Sequence, residues 1–281
     1  MESTLQQILI PTDFSNNAFN AADYALRFFN GQNITFHFLH INTSVKTFRE
    51  EVASHQDLNV DTDKAEIENK MRDWIQNICT NHSNPNHNMK LAMISAPFVE
   101  GIRDYINYNN IQFMVMGSKG ASGIEDSPIG SKTSAVITRV KCPILVIPEK
   151  AFFKKPINIG FPTDFNMVYN ETAIRTLLEV TNMYRSTVKI LRVAQTEKEL
   201  ENYQNNNKNL LKILLGTVPH TFHVIENPFL ENALQSFVTT MQIDLVVMIA
   251  KNLNFFQRIL LKPQIEKISY HMQIPFLLLH E

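Results

Sequence analysis

Ile10-Pro11-Thr12-Asp13-Phe14-Ser15 recurs later in the chain as Phe161-Pro162-Thr163-Asp164-Phe165-Asn166. Three more pairs follow. Ala96-Pro97-Phe98-Val99-Glu100 returns as Asn227-Pro228-Phe229-Leu230-Glu231, and Ile111-Gln112-Phe113-Met114-Val115-Met116 as Ile243-Asp244-Leu245-Val246-Val247-Met248. Cys142-Pro143-Ile144-Leu145-Val146-Ile147 returns as Ile274-Pro275-Phe276-Leu277-Leu278-Leu279. The matches keep the same order in both halves, which a chance likeness would not do, so the chain reads as a duplicated unit. Its 281 residues are close to two domains at about 150 residues each. The joint falls in 149–156, where Lys150, Lys154, Lys155 and Pro156 interrupt every periodicity. Domains 1–150 and 151–281 are expected.

Within the first unit, strands alternate with helices. Ile8-Leu9-Ile10 is a short buried strand, and Ser15 can cap a helix carrying Ala18, Ala21, Ala22, Ala25 and Phe29. Ile34 to Ile41 is a strand. Ile67, Met71, Trp74, Ile75 and Ile78 share one face of a helix over Asp61 to Cys79. Met89 to Ile94 is a third strand, and Phe98, Ile102, Tyr105 and Ile106 mark a helix after Pro97. Ile111 to Met116 and Ile144 to Ile147 are apolar runs typical of parallel strands covered on both faces, with a helix from about Ser131 to Val140 between them. Such alternation implies an α/β fold with an open, mostly parallel sheet and right-handed crossovers. Asn81 to Asn88 and Asn205-Asn206-Asn207 read as polar surface connections.

Composition narrows the function. Lys plus Arg is 26 and Asp plus Glu is 27, a formal net charge of −1, which argues against nucleic-acid binding by bulk basic charge. No apolar run approaches the ~18 residues of a membrane span. Met1-Glu2-Ser3-Thr4 lacks the pattern of a secretory signal, so a cytoplasmic, soluble protein is expected. Cys79 and Cys142 stand in unrelated contexts without zinc spacing and read as small hydrophobes.

Chemistry concentrates in 116–133. Four of the chain's 8 glycines (Gly117, Gly120, Gly123 and Gly130) crowd this one loop between a buried strand and a helix. Glycine lets backbone approach a ligand closely. Gly130-Ser131 sits at a helix start, where unpaired N–H groups and the helix dipole favour an anion. Ser131 adds a hydroxyl, and Lys119 and Lys132 add charge. The segment points to phosphate binding, although it fits neither GxxxxGK[ST] nor GxGxxG.

Gly117-x2-Gly120-x9-Gly130-Ser131 resembles the G-2x-G-9x-G-[S/T] signature of ATP-binding members of the universal stress protein family. Ile8 to Ser15 resembles that family's first strand and P-[TV]-D turn, and Cys142 to Val146 its closing strand. The likeness covers nearly the whole chain as two tandem copies. It implies two Rossmann-like domains, each a five-stranded sheet of order 3-2-1-4-5 flanked by helices. It further implies ATP as ligand. Asp13, with Pro11 and Thr12, would meet the adenine and ribose side. The backbone of Ile41 would contact adenine, and Met116 and Gly117 would line the ribose. Gly120, Gly130, Ser131 and Lys132 would cradle the phosphates, with Lys119 in the same loop. It also implies that the edges formed by 144–147 and 276–279 meet, giving an intramolecular pseudo-dimer.

The second copy departs from this signature. Asn252 stands at the place of Gly120, Lys262 at that of Gly130 and Pro263 at that of Ser131. A proline at a helix start is tolerated but removes an N–H donor. Asp164 survives and reads as a turn or capping acid. Phe255 and Phe256 read as packing or interface residues that could serve a homodimer. Glu125 and Asp126 fit either Mg held on a nucleotide or two solvated loop acids. His220 and His223, on a strand, would lie on opposite faces, which disfavours a shared metal. No catalytic arrangement of Ser/His/Asp or Cys/His is evident. Three functions stay open: an ATP-binding stress or regulatory protein, a slow ATPase or nucleotidyl transferase, and a nucleotide-free interaction scaffold.

Overall fold

Ile8, Leu9 and Ile10 are all fully buried, the mark of a strand covered on both faces. They form β1 (Gln7–Pro11) in a computed structural model that describes residues 5–43, 60–120, 129–194, 199–227, 230–250 and 274–280. Then come α1 (Asn16–Phe28), β2 (Ile34–Asn42), α2 (Val60–Asn81), β3 (His87–Ser95), α3 (Phe98–Asn109), β4 (Phe113–Gly117), α4 (Ser131–Arg139) and β5 (Ile144–Ile147). The second half runs β6 (Asn158–Pro162), α5 (Glu171–Tyr184), β7 (Thr187–Ala194), α6 (Asn202–Leu215), β8 (His220–Glu226), α7 (Leu230–Thr240), β9 (Leu245–Ile249) and β10 (Phe276–Leu279).

Each half has the expected order 3-2-1-4-5, with parallel neighbours inside it. The halves do not form separate sheets. They share one ten-stranded sheet of order β3-β2-β1-β4-β5-β10-β9-β6-β7-β8. Its centre is the antiparallel β5–β10 pair, with Phe276 opposite Val146, Leu277 opposite Leu145 and Leu278 opposite Ile144. Both strands are buried along their whole length, so an unpaired edge here would present apolar side chains and unsatisfied backbone together.

Alternation along the strands builds two cores. Ile8, Ile10, Leu145 and Leu277 face the layer containing α1, α2, α5 and α6. Leu9, Val146, Phe276 and Leu278 face the layer containing α3, α4 and α7. Both cores run through the seam between halves. Tyr24 packs edge-on against Phe153 at 5.2 Å, Phe28 lies 5.4 Å from Tyr184, and the Tyr184 hydroxyl donates to the Phe28 carbonyl. Lys154 Nζ stands 2.6 Å from Oδ1 of the buried Asp244, whose Oδ2 accepts from the Asn158 amide, so the segment joining the halves is fixed to the second.

Ser15 caps α1, its Oγ accepting from Ala18 N at 3.2 Å, and the helix stops at Phe28 with Phe29 as its C-cap. Asn205-Asn206-Asn207 is not a surface connection. Glu201 and Gln204 make a reciprocal capping box that starts α6 ahead of it, and Leu211 and Leu215 bury the helix. Asn207 itself is buried, donating to the Phe165 carbonyl at 2.8 Å. Local hydrogen bonding thus overrides the loop preference of asparagine.

Candidate functional site

After β1 the chain turns to β2 on one side, and after β3 it crosses to β4 on the other. The carboxyl ends of β1 and β4 therefore flank a switch point, where open α/β sheets leave a crevice. Pro11, Thr12 and Asp13 arrive there from β1, and Gly117 to Gly120 from β4.

Two short side chains shape the β1 turn. Thr12 Oγ1 accepts from Phe14 N at 3.0 Å and Asp13 Oδ1 from Ser15 N at 3.1 Å. Together they hold Phe14 at φ 64°, a left-handed conformation uncommon for a residue other than glycine. The Phe14 ring stacks on His40 at 4.7 Å and meets Trp74 edge-on at 6.3 Å. His40 Nδ1–H donates to the Thr12 carbonyl at 2.9 Å.

The glycines sit where an added side chain would press on its neighbours. A β-carbon at Gly117 would lie 2.9 Å from Asn17 Cγ, and one at Gly120 would lie 2.8 Å from Asp13 Oδ2. One at Gly130 would press on Lys119 Cα at 3.3 Å. Hydrogen bonds stitch the loop to the start of α4: Gly130 N donates to the Ser118 carbonyl at 2.8 Å, and Thr133 Oγ1 to the Gly117 carbonyl at 3.0 Å. Gly130 is the N-cap of α4, the first turn contains no acid, and Ser131 and Lys132 are exposed. The first amides of a helix have no intrahelical acceptor, which leaves donors at the start of α4, where Gly130 lies close to Lys119 and Gly120.

Asn17, in the first turn of α1, escapes the sequence reading because Ser15-Asn16-Asn17 looks like ordinary helix-start polarity. Its Nδ2 donates to the Lys119 carbonyl at 2.6 Å, and its Oδ1 is buried with no hydrogen-bond partner among the described residues. Only the apposition of α1 and β4 reveals it.

Ile41 and Met116 are buried near the carboxyl ends of β2 and β4. The Lys132 ammonium lies 5.1 Å from the centre of the Phe98 ring on α3, while its backbone stands at the helix start. Glu125 and Asp126 lie outside the described residues, as does 251–263 with Asn252, Phe255, Phe256, Lys262 and Pro263. His223 packs on Phe237 of one core and His220 on Phe222 of the other.

The second half repeats the turn but occupies it from within. Thr163 Oγ1 accepts from Phe165 N at 3.1 Å, Asp164 Oδ1 accepts from Asn166 N at 3.0 Å, and Phe165 has φ 59°. Asn166 Nδ2 donates to Asp164 Oδ2 at 2.9 Å, and Gln204 Nε2 of α6 donates to the Asp164 carbonyl at 3.0 Å. Tyr203 donates to Asn166 Oδ1 at 3.0 Å. Asp164 is a turn acid and not a helix cap, because α5 begins at Glu171 under Asn170.

No helix among the described residues is long and apolar enough to cross a membrane. The curated proteins compared with the chain give no match. Among solved structures, a universal stress protein from Archaeoglobus fulgidus aligns with TM-score 0.65 at 15% identity, covering 98% of this chain and 96% of that one. The cytoplasmic domain of a prokaryotic cation chloride cotransporter aligns with TM-score 0.54 at 9% identity, covering 98% and 95%. At such identities these likenesses speak for the fold alone. Residues 4–148 match the universal stress protein family, and with more than half its length inside that match the chain belongs to the universal stress protein family.

Proposed function

We propose that this chain is a nucleotide-binding stress-response protein that holds one ATP, in domain 1–150, as a regulatory ligand. The observation that carries the reading is the 2.8 Å approach of a β-carbon at Gly120 to Asp13 Oδ2: the phosphate loop and the nucleoside turn close on each other, and a side chain at 120 would have to displace the carboxylate. Family membership supports a role in stress response. In this reading Pro11, Thr12, Asp13 and Ile41 border the adenine and ribose, Met116 and Gly117 the ribose. Lys119, Gly120, Gly130, Ser131 and Lys132 surround the phosphates, the last through its backbone. Asn17 positions the loop through the Lys119 carbonyl.

Domain 151–281 takes no nucleotide in this reading, since Asn166, Tyr203 and Gln204 already surround the Asp164 turn. The two domains act as an intramolecular pseudo-dimer, a role supported by the β5–β10 pairing. Bound ATP then sets the conformation offered to a partner.

Titration calorimetry with ATP tests the reading. One site per chain is expected, abolished by Gly130→Val and retained in Asp164→Ala. Two equivalent sites, no binding, or a single site lost only in Asp164→Ala would overturn it.

A further inference from the structure

Arg27, Lys155 and His82 help to line a cavity of about 440 Å3 at the seam between the halves. The cavity lies at the carboxyl end of α1, whereas the nucleotide crevice lies at its amino end. Thirteen residues of helix put the two about 20 Å apart. Its volume falls in the range of small-molecule sites, which favour such interfaces.

The walls differ in kind. Phe28, Phe153, Met183 and Tyr184 supply an apolar wall drawn from α1, the joining segment and α5. The Tyr184 hydroxyl is engaged by the Phe28 carbonyl, which leaves its ring as the surface offered. Arg27 and Lys155, both exposed, add two cations to the lining, and among the described residues no carboxylate lines the cavity. Asp23 stands behind Arg27, accepting from Nε at 2.9 Å and from His82 Nε2 at 2.5 Å. One acid thus holds the Arg27 fork and the imidazole in place, and Lys155 brings a second cation from across the seam. At Gly31, an exposed residue of the lining, a β-carbon would meet nothing within 4 Å.

We propose that this seam cavity binds a small organic anion with an apolar body, its acid group between Arg27 and Lys155 and its body against Phe153 and Tyr184. A cation would find no carboxylate on the lining, and an inorganic anion would leave the aromatic wall unused. Because α1, the joining segment and α5 all contribute, the bound anion ties the two halves together. Binding at the seam requires no nucleotide in the crevice.

The probe is 8-anilinonaphthalene-1-sulfonate, titrated by fluorescence into the full chain. One saturable site is expected, undiminished by saturating ATP. Gly31→Phe should place a ring on the lining, and Lys155→Glu should reverse one cation. Each should weaken the probe by about tenfold or more, for Lys155→Glu the effect of losing one charge-assisted contact, at an unchanged thermal midpoint. Neutral 1-anilinonaphthalene should bind weaker by a similar factor. Absence of saturable binding, equal affinity in Lys155→Glu, or equal affinity of the neutral analogue would each overturn the proposal. So would displacement by ATP. Lys155 is exposed, so its variant keeps the test decisive even if Gly31→Phe fails to fold.

Discussion

Asp13 Oδ2 and Gly120 approach so closely that a β-carbon on residue 120 would sit 2.8 Å from the carboxylate. Oδ1 of the same group is engaged by the Ser15 amide, which limits how far the carboxylate can swing away. Gly120→Ala should therefore fold normally but push the Asp13 turn and the loop apart. ATP affinity should fall by about tenfold, equivalent to one charged hydrogen bond. Trp74 is the chain's single tryptophan and contacts Phe14 of the same turn, so its fluorescence can follow the titration directly. Unchanged affinity would show that the contact does not govern the site.

Asn17→Ala removes the donor that holds the Lys119 carbonyl and leaves that carbonyl to find another. Losing one such bond costs about 1 kcal/mol. If Asn17 positions the phosphate loop, ATP affinity should drop severalfold while adenosine affinity stays unchanged. An equal loss for both ligands would mean that the side chain only supports the fold.

Much of this site is legible in the sequence because its determinants are local. The Thr-Asp-Phe turn encodes its own side-chain hydrogen bonds, and it reappears with Phe14 at φ 64° and Phe165 at φ 59°. The helix spacing of Met71, Trp74 and Ile78 fixes α2 to within two residues at each end. What escapes depends on tertiary apposition. Asn17 matters only because α1 packs on β4. Asn205 to Asn207 stays helical only because Glu201 and Gln204 cap α6 and Asn207 reaches Phe165. The seam cavity unites residues from α1, the joining segment and α5 that share no pattern.

Acid should destabilise the fold through histidines whose pKa burial lowers, chiefly two of them. His37 is 1% exposed between Gln7 Oε1 at 2.8 Å and Tyr105 Oη at 3.0 Å, and burial, with Lys90 nearby, lowers its pKa from 6.5 to about 4. Burial and then Lys141 lower His280 to about 4 as well. Above pH 6.5 both rings are neutral whether the chain is folded or not, so stability is at its full value. Between 6.5 and 4 the unfolded chain binds protons that the folded one refuses, and stability falls as pH falls. The loss is about 1.4 kcal/mol per pH unit for each ring. Urea midpoints measured from pH 7 to 5 should decline, and His37→Asn should flatten the slope in part, because burial also lowers His87 and His223. A midpoint independent of pH over this range would refute the assignment.

Leu277 and Leu145 face each other across the antiparallel seam, and both are fully buried in the core layer that holds α1 and α5. Truncating Leu277 to Ala leaves a cavity shared by both halves, at a cost of about 2–5 kcal/mol. Because the same sheet and the same cores run through the β5–β10 pair, the lost packing weakens each half's support for the other. A single cooperative urea transition is expected for the wild-type chain, and one transition at a lower midpoint for Leu277→Ala. Probes in opposite halves should report it together: Trp74 fluorescence for the first, and hydrogen exchange of the β7 amides for the second. Two separated transitions in the wild-type chain would mean that 1–150 and 151–281 fold as independent bodies that merely touch at the seam. In that case Leu277→Ala should shift the second transition and leave the Trp74 signal where it was.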